Sequence, residues 1–341
     1  IWITVIPGNL DMTLSRRDLL RSSLLTGGAG LVASMASLSV PMPGFAAAPK
    51  AGVQTTGAYR FSVGKFEITA LLDGYIDAGS DLIPNYDPEV AEQLYKDQFR
   101  TPPVDKIRVP INSFVVNTGD KIILIDSGTA DNMGPTLGQF IDNLKAAGIA
   151  PESVDAILLT HMHVDHISGI TSKEGKAHFP NAELIVHKKD WDFWHDDSYM
   201  SQASDFLKTN SANAKAMSAP YSKRLTLIDK DGEVLPGIEA VALPGHTPGH
   251  TGFVLRSENQ EVLIWGDVVH FTALQFQHPE WSIAFDIDMQ QAEQTRRRML
   301  DWVSADRVAV LGSHLEFPGL GHVARERDNY RYHQSSWQYQ L

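Results

Sequence analysis

The chain of 341 residues contains no cysteine, which excludes disulfides and thiolate metal ligands together. A chain without thiols is indifferent to the redox state of its compartment, a property compatible with export. Basic residues are also short: 29 Lys and Arg stand against 41 Asp and Glu, a formal charge of −12. That balance excludes a nucleic-acid partner, because binding a phosphate backbone needs a basic surface. No repeat with a period of 20–50 residues and no low-complexity tract is visible, so repeat architectures are set aside. Long apolar runs are missing too, except for an uncharged stretch from Ser22 to Val40.

That stretch follows Ser15-Arg16-Arg17-Asp18-Leu19-Leu20-Arg21, a twin-arginine pattern. It precedes Gly44-Phe45-Ala46-Ala47-Ala48, whose small residues suit signal cleavage. Its many glycines and serines make it a weak membrane helix. The expectation is a cleaved twin-arginine signal over 12–48, a periplasmic or secreted protein, and no stable membrane anchor afterwards. Residues 1–11 read as a start-site extension or cloning remnant, and 49–341 as one domain of the larger kind.

What is present in excess is metal-binding side chains. His161-Met162-His163-Val164-Asp165-His166 packs four of them into six residues. The preceding Val154-Asp155-Ala156-Ile157-Leu158-Leu159-Thr160 has the apolar look of a buried central strand. The cluster therefore sits on the loop leaving a strand, where side chains at i, i+2, i+4 and i+5 can converge. Imidazole and carboxylate together suit zinc and related divalent ions. One catalytic zinc does not need four ligands from so short a stretch, so the site is read as holding two divalent metals.

Three further segments end on metal-capable residues. Pro244-Gly245-His246-Thr247-Pro248-Gly249-His250-Thr251 is a turn with two histidines, Leu263-Ile264-Trp265-Gly266-Asp267 closes on an aspartate, and Val308 to His314 closes on a histidine. Ligands delivered from strand ends are held stiffly, as a fixed two-metal geometry requires.

Around these segments, Tyr59–Leu72 reads as opening strands ending at the turn pair Asp73-Gly74, and Pro88–Phe99 as a short helix. Ile111–Asn117 and Lys121–Ile125 read as a hairpin, and 135–147 as a helix stopped by Gly148. Further strands are expected at Ala182–His187, Leu225–Ile228, Ile238–Leu243, Gly252–Arg256, Glu261–Trp265 and Arg307–Leu311, with helices over 188–225 and Met289–Trp302. Strands alternating with helices and mixed with hairpins indicate an α/β fold of mixed sheets covered by helices. Periodicity alone does not select a four-layer αββα sandwich among the ways to arrange them.

The order HxHxDH, GHTPGH, Gly-Asp and Ser-His resembles the metallo-β-lactamase superfamily from about Tyr59 onward. That resemblance implies a four-layer αββα sandwich. Within the superfamily, Ser313-His314-Leu315-Glu316-Phe317-Pro318-Gly319-Leu320-Gly321-His322 is similar to the methyl parathion hydrolase and lactonase branch, as are Leu274-Gln275-Phe276 and Phe193-Trp194. The resemblance implies that His161, His163 and His250 bind one metal and that Asp165, His166 and His314 bind the second. Asp267 would bridge the two, and Asp126 would support the site from behind. His246 would then brace the turn, and His322 would pack nearby without ligating. The branch also implies a homodimer.

Two such ions share one water and lower its pKa towards ~7, so a bridging hydroxide is the expected nucleophile and Asp165 its orienting ligand. Zinc is the default ion for a histidine-rich site, with manganese, cobalt and iron open. Trp191, Phe193, Trp194, Phe271, Phe276 and Phe285 fall beside the ligands in sequence and are the expected apolar wall, with Trp281 close by. His270 is the candidate proton donor to the leaving oxygen, at a position where the resembling lactonases carry a tyrosine. A polar group there suits an ester or lactone carbonyl. The expected enzyme opens lactones or cleaves aryl esters, with organophosphate hydrolysis as a side activity. A dedicated organophosphotriester hydrolase is the alternative, and a mononuclear iron dioxygenase on the same fold a further one.

Overall fold

Short apolar segments of alternating burial build two sheets in chain order. The structure, a computed structural model, describes residues 50–103, 105–130 and 132–341. The expected signal over 12–48 and the extension before it lie outside the described residues. The first sheet has seven neighbouring strands: β1 (Ala58–Val63), β2 (Phe66–Gly79), β3 (Lys106–Asn117), β4 (Ile122–Ile125), β5 (Ala156–Leu158), β6 (Glu183–His187) and β7 (Leu225–Ile228). The second also has seven: β8 (Gly232–Leu235), β9 (Ile238–Ala242), β10 (Thr251–Ser257), β11 (Gln260–Ile264), β12 (Ala309–Leu311), β13 (Leu320–Glu326) and β14 (Asn329–Gln334).

Helix α1 (Pro88–Asp97), capped by the Asp87 carboxylate, lies between β2 and β3. Strands β4 to β7 run parallel, and parallel neighbours need crossovers. These are supplied by α2 (Phe140–Ala146), α3 (Val164–Ile167), α4 (Lys188–His195), α5 (Asp197–Ser201) and α6 (Asp205–Ser218). In the second sheet the one parallel pair, β11 with β12, is joined through α7 (Met289–Asp306).

Because strand side chains alternate, each sheet has two apolar faces to cover. The inner faces meet: Phe61, Phe114 and Ile185 from one sheet interleave with Phe253, Val262 and Leu311 from the other. The outer face of the first sheet packs on α2, α4 and α6 through Leu124 and Leu184 against Phe140, Trp194 and Ala214. The outer face of the second packs on α7 through Leu263 and Val310 against Met299, Leu300 and Val303. The result is helix, sheet, sheet, helix: the expected αββα sandwich. Among the described residues, no helix is long and apolar enough to cross a membrane.

Two local expectations are corrected, and three strands had no expectation. Asp73-Gly74 is not a turn but a bulge, where the register of β2 against β3 shifts and the strand continues to Gly79. Gly74 (φ 143°) is required there, since a Cβ would stand 2.0 Å from the carbonyl oxygen of Thr136. The helix expected over 135–147 starts only at Phe140, because Gly138 just ahead of it takes a positive φ of 86°. The strands β8, β13 and β14 carry too many polar residues to show the apolar alternation that marks the others.

Candidate metal centre

The ligand-bearing loops leave the strand ends at one rim of the sandwich. Asp126, just past β4, takes a left-handed φ of 57° that turns its carboxylate toward the next strand end. Oδ1 accepts from the Thr160 N–H at 2.9 Å, and Oδ2 from the Thr160 hydroxyl at 2.8 Å and His166 Nδ1–H at 2.9 Å. One buried carboxylate thereby sets the start of the His161–His166 loop and the tautomer of His166, leaving Nε2 directed inward. The same arrangement recurs twice. His246 Nδ1–H donates to Asp286 Oδ1 at 2.8 Å, and His314 Nδ1–H donates to the carbonyl of Pro110 at 2.9 Å.

The inward atoms converge. His163 Nδ1 lies 3.0 Å from His161 Nε2 and 2.9 Å from His246 Nε2. Asp267 Oδ2 is 3.2 Å from His246 Nε2 and 3.1 Å from His314 Nε2, while Oδ1 is 3.1 Å from His166 Nε2. Two sets result, His161, His163, His246 and Asp267, and Asp165, His166, Asp267 and His314; within each the candidate ligand atoms lie within 4.8 Å of one another. Asp267 belongs to both, and Asp165 is the most exposed member.

This donor set fits divalent metal ions. Ring nitrogens with lone pairs facing each other at 3 Å repel unless a proton or cation lies between them. His166 Nε2 and Asp267 Oδ1 are buried 3.1 Å apart without the alignment of a hydrogen bond, a costly condition that a cation shared between them would relieve. Burial opposes ionisation of Asp267, yet His166, His314 and His161 outweigh it and hold its pKa well below the carboxylate range. Burial likewise opposes charging of His246, but Asp267 and Asp286 push its pKa up to about 9. His161 and His163, depressed by burial and by neighbouring imidazoles, are neutral. The carboxylates thus draw positive charge into the pocket.

The expected ligand set needs one correction. His250 does not face the cluster: its Nδ1–H donates to Leu243 O at 3.0 Å, and its Nε2 accepts from the Asp267 N–H at 3.1 Å. Both ring nitrogens are engaged by backbone, so His250 braces the turn while His246 takes the inward position. His322 sits exposed on β13, opposite His333 of β14. His270 is buried, with Nε2 3.1 Å from Asp267 Oδ2 and its ring stacked 5.1 Å from that of His314. Its backbone N–H and that of Phe271 both donate to Gln275 Oε1, which fixes the bend after Asp267.

A cavity of about 520 Å³, including its open mouth, lies over Asp165, Asp267, His270 and His314. Its wall is apolar: Ile76 and Ala78 of β2, Val109 of β3, Phe206 of α6, and Ile283 and Phe285 from the loop before α7. Met133 completes the rim, and among the described residues no Lys or Arg lines it. Of the six aromatics expected in the wall, only Phe285 is there. Trp194 is fully buried behind His163, Trp191 stacks on His195, and Phe193 packs on Trp194 and Tyr199. Phe271 and Trp281 pack behind the wall, in one apolar cluster with Ala78, Val109 and Ile283, and Phe276 stacks on Tyr332. Adjacency in sequence was the signal for the aromatics, and strand and helix geometry turned most of them into the core. Phe206, stacked on Phe285 at 5.1 Å, carried no such signal, and neither did Asp286 or Asp190.

Two mixed sheets between helices, with His and Asp loops at one rim, define a metal-dependent hydrolase architecture. Residues 107–314 match the metallo-beta-lactamase superfamily. The chain belongs to that superfamily. Among solved structures it resembles the hydrolase AbOPH of the beta-lactamase superfamily, with TM-score 0.80 and 33% identity over 84% of this chain and 100% of that one. It also resembles AidC, a dizinc quorum-quenching lactonase in complex with a product, N-hexanoyl-L-homoserine, with TM-score 0.77 and 27% identity over 83% and 98% of the two chains. An N-acyl homoserine lactonase from a Bacillus species is 23% identical over 232 residues, 62% of this chain and 84% of the relative.

Proposed function

We propose that this chain is a dinuclear hydrolase that opens lactones or cleaves aryl esters, with organophosphate triesters as secondary substrates. The observation that carries the reading is the pair of ligand sets sharing Asp267 beneath an apolar cavity. Two divalent ions there, zinc by default, would lower the pKa of a shared water toward ~7 and polarise the scissile carbonyl. His161, His163 and His246 would hold one ion, Asp165, His166 and His314 the other, with Asp267 common to both.

The remaining roles fall to the wall and to His270. With no Lys or Arg among the described residues of its lining, the cavity favours neutral substrates over those carrying a carboxylate. Phe206, Ile283 and Phe285 would seat an acyl or aryl group and exclude water from it. Burial, opposed by Asp267, lowers the His270 pKa to about 4, so the ring is neutral at pH 7. It would therefore donate a hydrogen bond to the leaving oxygen rather than act as a charged acid.

Initial rates of the zinc-loaded protein on dihydrocoumarin, an acyl-homoserine lactone and methyl parathion, beside Asp267→Asn, test this. The lactone or aryl ester should lead by orders of magnitude and the variant should be inactive. A lead for methyl parathion would make the protein a phosphotriesterase instead, and no turnover of any of the three would sink the pocket assignment.

A further inference from the structure

Asp190 lies in the first turn of α4 and is fully buried, yet its side chain reaches none of the ligand atoms. It gathers donors from two distant segments. Oδ2 accepts from the Met162 N–H at 2.8 Å and from Trp194 Nε1–H at 3.2 Å. Oδ1 accepts from the Gly249 N–H at 3.2 Å. Met162 is the residue between His161 and His163, and Gly249 lies in the turn that carries His246. The Trp194 ring stands edge-on to His163, with centroids 5.3 Å apart. Turn and helix touch so closely that a Cβ at Gly249 would lie 2.3 Å from the Asp190 nitrogen.

Resting on the dinuclear reading above, we propose that Asp190 is a positioning residue that preassembles one half of the metal centre. It ties the loop bearing His161 and His163 to the turn bearing His246, the three histidines of one ligand set. The other set has its own buried carboxylate, since Asp126 bonds Thr160 and His166. Without Asp190, the backbone N–H groups of Met162 and Gly249 would be orphaned in the interior. Each ligand segment would then move to satisfy them, and the spacing of the inward nitrogens would change. Because Asp190 makes no bond to His166 or His314, the effect is confined to one site.

The test is a zinc titration of the metal-free protein against a chromophoric chelator, for wild type and Asp190→Asn. The asparagine keeps the shape but turns one acceptor into an NH2 group facing an N–H. Wild type should take up two equivalents. In the variant one should keep its affinity while the other weakens by roughly 10–100-fold, the usual effect of losing a group behind the ligands. Two unchanged equivalents, or two weakened alike as a general loss of structure would give, overturn the proposal. If wild type takes up a single equivalent, the dinuclear reading fails, and Asp190→Asn must still weaken that equivalent. If wild type takes up none, both fall. Should the variant not fold, amide exchange in metal-free wild type decides: Met162 and Gly249 must be protected as in the zinc-loaded protein, and free exchange there overturns the proposal.

Discussion

Two histidines four residues apart in one turn do different work, and the difference lies in what their backbones meet. His250 immediately precedes β10, where Leu243 O and the Asp267 N–H close on its two ring nitrogens. His246 sits at the apex, with Asp286 behind it and Asp267 ahead. His246→Ala should therefore lose one equivalent of bound zinc, and it should also lower the melting temperature of the metal-free protein, because buried Asp286 and Asp267 lose the ring between them. His250→Ala should keep two equivalents but leave two buried backbone groups unpaired, at about 1–3 kcal/mol each. The zinc count separates the two outcomes, and the reverse pattern would restore His250 as the ligand. At His270 the discriminating quantity is leaving-group dependence. His270→Ala should cut kcat by roughly 10²-fold or more for a substrate with a poor alkoxide leaving group. For a nitrophenyl ester, whose leaving group needs no help, the loss should be much smaller; equal losses would make His270 a structural residue.

At the scale of elements, the bulge in β2 shows why the same dipeptide misleads when read alone. Asp-Gly is a turn pair by local chemistry, but the Asp73 carboxylate accepts from the Thr129 N–H and hydroxyl and the Phe140 N–H. Those tertiary donors convert a chain reversal into a kink and pin both ends of the segment that brings Met133 to the cavity rim. Asp73→Asn should destabilise the fold by roughly 2–3 kcal/mol and raise KM for bulky apolar esters, while leaving the zinc count unchanged. A variant that loses zinc instead would mean that the segment supports the metal centre directly. Strands β4, β5, β11 and β12 were legible because they are buried on both faces and read as uninterrupted apolar runs. The hairpin of β13 and β14 was not, since Arg325, Glu326, Arg327 and Arg331 break any alternation. Its place is set by pairing with β12 and by Tyr330 and Val323 packing into the layer under α7.

At the scale of the whole molecule, the centre exists only where the two sheets meet. One ligand loop leaves β5 of the first sheet, while Asp267 and His314 follow β11 and β12 of the second. The segments that carry the candidate ligands were legible because each follows an apolar strand. The choice between His246 and His250 and the composition of the wall were not, because both depend on which strand ends and helices become neighbours across the sandwich. A site assembled from both halves makes metal binding and folding one linked equilibrium. Ions that bind the folded chain alone contribute about 4 kcal/mol per site when present at a thousand times Kd. Chelation should therefore lower the melting temperature by on the order of 5–10 °C or more, and zinc should restore it in a concentration-dependent way. In the metal-free protein the facing imidazoles and Asp267 remain buried together, balanced only by protons drawn to His166, His246 and His314. A melting temperature indifferent to chelator would mean that those side chains satisfy one another without an ion, and the metal assignment would fall with it.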